Sequence, residues 1–121
     1  MGRSELAAVE SYQELILVHL IRLVTEPEAA AARHWRGEIV GFHSNARRRY
    51  WPSMRQRIDL DALWRSASEQ SLLSYEGRQQ QLVAELPRTA PFAIDDLLVE
   101  PMDVLGLEDR LRGEMDRKHP A

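Results

Sequence analysis

Arginine and histidine recur along one stretch of the chain at intervals that a single helix face can gather. Arg33, Arg36, Val40, His43 and Arg47 are separated by 3, 4, 3 and 4 residues, a spacing that stacks side chains along one flank of an α-helix. Arg48, Arg49, Arg55 and Arg57 follow, with Trp35, Tyr50 and Trp51 interleaved. Guanidinium groups contact phosphates and aromatic rings stack on bases, so the Arg33–Arg57 region holds the parts of a nucleic-acid contact or of a surface for a protein partner. A plainer reading stands beside it. Trp35 and Tyr50 also belong to an apolar stripe, and the eleven acidic side chains after residue 65 can neutralise the arginines within the chain. Runs of charge are commonly solvated faces.

Catalytic chemistry finds little support. Arg36 with His43, and Arg112 with His119, have the separation of the paired Arg and His in small helical ribonucleases, so an enzyme of that kind centred on Arg36 and His43 is an alternative reading. Fifteen Arg and four His produce about one or two such pairs by chance. No His-Glu-x-x-His, Gly-x-Ser-x-Gly or phosphate-binding loop occurs, and no Glu is followed three residues later by His, which removes the usual zinc protease, hydrolase and di-iron bundle signatures. His34 and Glu38, one turn apart, read as a surface ion pair rather than metal ligands. Without cysteine there is no disulfide, thiolate metal site or cysteine nucleophile. No catalytic residue, metal or cofactor is therefore expected. His19 beside Leu20 reads as a hydrogen-bonded structural histidine, and Gln13 as a buried amide in need of partners.

The elements that must position these groups follow from apolar spacing. The chain has 121 residues, 44% hydrophobic and 29% charged, the make-up of one folded domain over 1–121. Its net charge of −3 conceals local values of about −3, +5 and −5 for residues 1–32, 33–65 and 66–121. The patterning predicts an all-α fold, a single bundle of four or five helices with short Pro-containing loops. Ser4 can cap a first helix to about Val24, with Leu6, Val9, Ile16, Leu20 and Val24 on one face. From Leu15 to Val24 this helix is apolar nearly all round, so it must be covered on most sides. His19 and Arg22 interrupt that ten-residue stretch, too short for a membrane span, and the cytoplasm is the expected compartment. Thr25 and Glu28 suggest a capping box for a second helix carrying Trp35, Ile39, Phe42, Ala46 and Tyr50 inward and ending before Pro52. Ser53 can cap a short turn through Arg57, and Asp59 or Asp61 a third long helix with Leu60, Leu63, Trp64, Ala67 and Tyr75 inward. Gly77 weakens it. Asp95 to Val99 makes a turn stopped by Pro101, and Asp103 caps a last helix with Val104, Leu107, Leu111 and Met115 aligned.

One ordered set of short motifs stands out: Gly2-Arg3-Ser4-Glu5, Glu14-Leu15 with His19-Leu20, Glu26-Pro27, Trp35-Arg36, Pro52-Ser53, Ala67, and Leu86-Pro87 before Asp96-Leu97-Leu98. In order and spacing the chain resembles, over about residues 2–100, the bacterial family known as domain of unknown function 29. The resemblance implies an all-helical fold and brings with it no catalytic residue and no cofactor. Two departures accompany it. Members of that family usually carry further N-terminal helices with a Tyr and a Trp before the stretch that here opens the chain, and the acidic segment 103–121 looks like an addition. Three arrangements can then cover the apolar first helix: an upstream segment beyond Met1, a second copy of the chain, or the C-terminal segment folding back.

The resulting expectation is a non-catalytic helical interaction or accessory protein that self-associates as a dimer through Leu15, Val18 and Arg22, or binds another protein. Nucleic-acid binding through Arg33, Arg36, His43, Arg47, Arg48, Arg49, Arg55 and Arg57 is the alternative. No membrane partner is expected.

Overall fold

Ten residues between Val9 and Thr25 are withdrawn from solvent, and they point in every direction around one helix. That helix, α1 (Arg3–Thr25), has 23 residues and is about 35 Å long. The computed structural model describes residues 3–26 and 29–118, and every regular element among them is helical. After α1 come α2 (Ala29–Arg49), a 3-10 helix (Pro52–Arg57), α3 (Leu60–Ser74), α4 (Gly77–Ala84), α5 (Ile94–Leu98) and α6 (Val104–Lys118). Helices α2, α3, α4 and α6 all pack on α1, so the helix that must be covered on most sides is the axis of the fold. Among the described residues no helix is long and apolar enough to cross a membrane.

The described residues thus form six α-helices and one 3-10 helix, more than the four or five expected. Gly77 has φ +60, a left-handed conformation that glycine adopts without steric cost, and this splits the expected third helix into α3 and α4. Pro101 stops α5 from continuing into α6.

Helix starts also differ in detail. Ser4 lies inside the first turn, because α1 already includes Arg3. Thr25 ends α1 and donates its hydroxyl to the Ile21 carbonyl at 2.8 Å; Pro27 and Glu28, the rest of the expected capping box, lie outside the described residues. Trp51 rather than Ser53 occupies the cap position of the 3-10 helix, with Pro52 at its first position. Of the two aspartates proposed for α3, Asp59 is the cap, accepting from the Ala62 amide at 3.1 Å. Asp61 instead accepts from the Ala90 amide at 3.1 Å and ties the loop after α4 back to α3. Asp103 caps α6 by accepting from the Gly106 amide at 3.0 Å, and a side chain at Gly106 would collide with that carboxylate.

The core divides in two along α1. The larger cluster joins Ile16, Leu17, Leu20 and Ile21 of α1 to Ile39, Trp64, Ala67, Val83 and Leu97, and to Val104, Leu107, Leu111 and Met115 of α6. A smaller one holds Val9, Ala46 and Met54. The inward stripes of α2, α3 and α6 therefore fall where apolar spacing places them. Cover for α1 comes from within the chain, since α6 folds back onto it.

Trp64 links α3 to the following loop: it is fully buried, its indole nitrogen donates to the Pro87 carbonyl at 2.7 Å, and its ring meets Phe92 edge-on at 5.9 Å. Trp64→Ala is expected to destabilise the fold by about 3–5 kcal/mol through the cavity it leaves. Trp64→Phe, which keeps most of the packing but leaves the Pro87 carbonyl unpaired, should cost about 1–3 kcal/mol. Urea unfolding of both variants checks the order: equal losses would remove the cavity from the account, and a Trp64→Phe variant as stable as the wild type would remove the hydrogen bond.

Candidate functional site

Helix α2 carries the arginine flank along the side that faces α5 and α6, and most of these side chains meet acceptors there. Arg36 forms a two-pronged pair with Glu108 of α6, Nε to Oε2 at 2.9 Å and Nη2 to Oε1 at 2.8 Å. Glu108 is only 2% exposed, and Arg112 approaches the same carboxylate at 3.4 Å while donating to the Leu23 carbonyl at 3.3 Å. Arg36 holds the Glu108 carboxyl below its usual range by hydrogen bonding, against the opposing effect of burial. The guanidinium of Arg36 is in turn held more firmly in its charged form. A charge buried this well requires a partner, so the pair locks α6 onto α2.

The rest of the flank follows the same pattern. Arg47 donates to the Leu98 carbonyl at 2.7 Å and lies 3.4 Å from Glu100. Arg55 forms a second two-pronged pair, with Asp95 of α5 at 2.7 and 2.9 Å, and Arg49 reaches Glu5 of α1 at 3.7 Å. His43 is buried. Burial pushes its pKa below the ordinary value of 6.5, with a contact to the Val99 main chain acting the other way and the Arg47 charge adding to the decrease. Among the described residues, no ion pair involves Arg33, Arg48 or Arg57.

Of the eight residues proposed for partner or nucleic-acid contact, then, Arg36, Arg47, Arg49 and Arg55 have acidic or carbonyl partners inside the fold and His43 is enclosed. For a ribonuclease this geometry is unfavourable: Arg36 is occupied by Glu108, and the His43 ring is shut away from any polymer. His119, from the second Arg and His pair, lies outside the described residues. The expected self-association face is not assembled as one open surface. Val18 is buried, Leu15 is half-buried, and Arg22 pairs with Glu26 at 3.7 Å and stacks over Trp35 at 5.4 Å.

His19 has the structural role that its apolar surroundings suggest. Its Nδ1 lies 2.9 Å from the Leu15 carbonyl and its Nε2 3.1 Å from Glu38 Oε2, while the other Glu38 oxygen is 2.5 Å from His34. Glu38 thereby joins α1 to the surface of α2. Among the described residues no group of three or more His, Asp or Glu is arranged to hold a metal ion.

What apolar periodicity does not reveal is that large apolar side chains stay exposed on α2, just after α5 and on α6, the elements joined by the arginine pairs. Val40 sits one helical turn from both Arg36 and His43. Arg36 is tied to Glu108 and Arg47 to the Leu98 carbonyl; Val99 follows Leu98 in the chain and Leu105 lies one turn before Glu108, so each of the three neighbours a residue of these tethers in sequence. Val40, Val99 and Leu105 are 58, 52 and 59% exposed. The ion pairs Arg36–Glu108 and Arg47–Glu100 border them. Exposed large apolar side chains beside paired charges have the make-up of contact-surface residues. The one hint in the sequence is Val40, the sole apolar member of the arginine flank.

Two pH dependences follow from the titrating groups. His43 binds a proton less readily folded than unfolded, so its neutral form supports the fold, and stability falls as pH drops below about 6.5. Glu108 is the opposite case of a depressed acid; its contribution is present above its ordinary value of 4.5 and is lost as pH falls through the lower folded value. Urea midpoints measured from pH 8 to 3 should decline in both ranges. His43→Gln should flatten the upper range alone and Glu108→Gln the lower range alone, and unchanged profiles would contradict the assignment.

Neither the curated proteins nor the solved structures contain a significant match to the chain. A family model does match: the Domain of unknown function DUF29 aligns with residues 1–101, which takes in α1 to α5 and stops before α6 and its Glu108. This match covers well over half of the chain, and the chain belongs to the DUF29 family.

Proposed function

We propose that this protein is a non-catalytic helical interaction module that self-associates through the α2–α6 seam. The exposure of the large apolar side chains Val40, Val99 and Leu105 carries this reading. The charges beside them are already paired within one chain, so two copies of the seam can face each other about a two-fold axis without like-charge repulsion. Excluding water from three apolar side chains on each copy supplies the driving force. Among the described residues no group along the seam combines exposure, a free proton-transfer atom and a neighbouring nucleophile, the combination that catalysis would require.

A second reading has one observation in its favour. Trp51 is 57% exposed just past the end of α2, between Arg48 and Arg57 in the chain, and among the described residues neither of these arginines forms an ion pair. A base stacked on Trp51 with phosphates on these two arginines describes a weak single-strand contact.

Sedimentation velocity across the micromolar range tests the first reading. The wild-type chain should sediment as a dimer, and Leu105→Glu or Val40→Asp should shift it to a monomer with unchanged helical circular dichroism, because both positions are exposed. A monomeric wild type, or variants that remain dimers, would overturn it. The second reading is tested by binding of fluorescent oligo(dT). Two phosphate contacts predict an affinity loss of about sevenfold between about 50 and 200 mM salt, removed by Arg48→Gln with Arg57→Gln. A salt-independent signal would exclude phosphate contact.

A further inference from the structure

Three of the four serines of α3, Ser68, Ser71 and Ser74, have hydroxyls that are positioned differently. Ser71 and Ser74 turn theirs back to carbonyls one turn earlier, Ala67 and Gln70, each at 2.8 Å, the usual arrangement for serine within a helix. Ser68 does not. Its Oγ is buried and has no hydrogen-bond partner, although an enclosed hydroxyl ordinarily has one. It lies in a groove of about 330 Å³ between α3, α4 and the start of the following loop, a volume at the small end of ligand sites.

The groove is amphipathic in an ordered way. Leu72, Val83, Leu86 and Pro87 give it an apolar lining, and Arg65 and Arg88 stand at its edge. Among the described residues neither arginine forms an ion pair or a hydrogen bond to a side chain, in contrast to Arg36 and Arg55. Glu69 lines the same groove, so the local side-chain charge is two positive against one negative. A dianion would meet Glu69 unfavourably, whereas one negative charge is matched. The apolar lining provides for a hydrocarbon body, and the Ser68 hydroxyl can donate to a carboxylate oxygen.

We propose that this groove is a binding site for a small apolar monocarboxylate, an aliphatic or aromatic acid whose hydrocarbon body lies on Leu72, Val83, Leu86 and Pro87 and whose carboxylate is held by Arg65, Arg88 and Ser68. The site shares no residue with the α2–α6 seam and does not depend on self-association. Occupancy ties α3 to α4 across the Gly77 break, so a bound acid stabilises the mutual placement of the two helices.

Amide chemical shifts of the full chain titrated with octanoate test this. Octanoate should give saturable shifts concentrated at Ser68, Leu72 and Val83. Octan-1-ol, equally apolar but uncharged, should bind about fivefold more weakly or less. Arg65→Gln with Arg88→Gln should reduce octanoate affinity to that of the alcohol without changing helical content, because neither arginine supports the fold through an ion pair. Ser68→Ala should weaken octanoate and leave octan-1-ol unaffected. Equal binding of acid and alcohol, shifts centred elsewhere, an unaffected double variant or no saturable shift at all would each overturn the proposal.

Discussion

A helix that is apolar on nearly every side cannot rest on a single neighbour, and α1 imposes that condition on the rest of the molecule. Leu17, Leu20, Ile21 and Leu23 lie at most 2% exposed although they point in different directions around the helix. Water must be excluded from all of them, and at about 1.5–3 kcal/mol for each large aliphatic side chain the return is too great to leave any one exposed. Helices α2, α3, α4 and α6 are arranged around α1 accordingly. Enclosure has a cost. The Gln13 amide and the His43 Nε2 are buried without partners, two unsatisfied groups at the interior of a surface otherwise closed by aliphatic contacts.

Charge is distributed by the same geometry. The basic middle of the chain lies along α2 and the 3-10 helix, and the acidic end lies along α5 and α6. Folding α6 onto α1 brings the two together, and the pairs Arg36–Glu108 and Arg55–Asp95 form where they meet. These pairs differ in weight. Arg55 and Asp95 face solvent, so screening leaves their attraction small. Glu108 is enclosed and has no alternative source of compensation except Arg112, so its pairing with Arg36 specifies which flank of α6 faces α2. Val40, Val99 and Leu105 remain exposed on these elements, and Arg65 and Arg88 beside the α3–α4 groove form no ion pair among the described residues.

Much of this was legible from residue types and their spacing. The stripe Trp35, Ile39, Phe42, Ala46, Tyr50 and the stripe Val104, Leu107, Leu111, Met115 pack inward because helical periodicity depends only on local geometry. Pro52 ends α2, and Asp59 and Asp103 cap α3 and α6, because a proline or a capping carboxylate acts within one turn of itself. Other features escaped the same reasoning for a physical reason. Asp61 has the chemistry of a cap as Asp59 does, yet its acceptor is used by Ala90, 29 residues away, and no local rule detects such a partner. Gly77 was readable as a weak point but not as a break, since its left-handed φ is set by how α3 and α4 must pack.

By itself, then, the sequence determined a helical chain, its inward faces, its stops and caps, and a first helix that demands enclosure, all consequences of interactions between residues a few positions apart. Only the tertiary structure decided what encloses α1, which arginines are neutralised and which apolar side chains stay exposed. Arg36 and Glu108 are separated by 72 positions, and their pairing depends on the direction in which α6 returns. Periodicity specifies which face of a helix turns inward; it contains no information about which other face it meets.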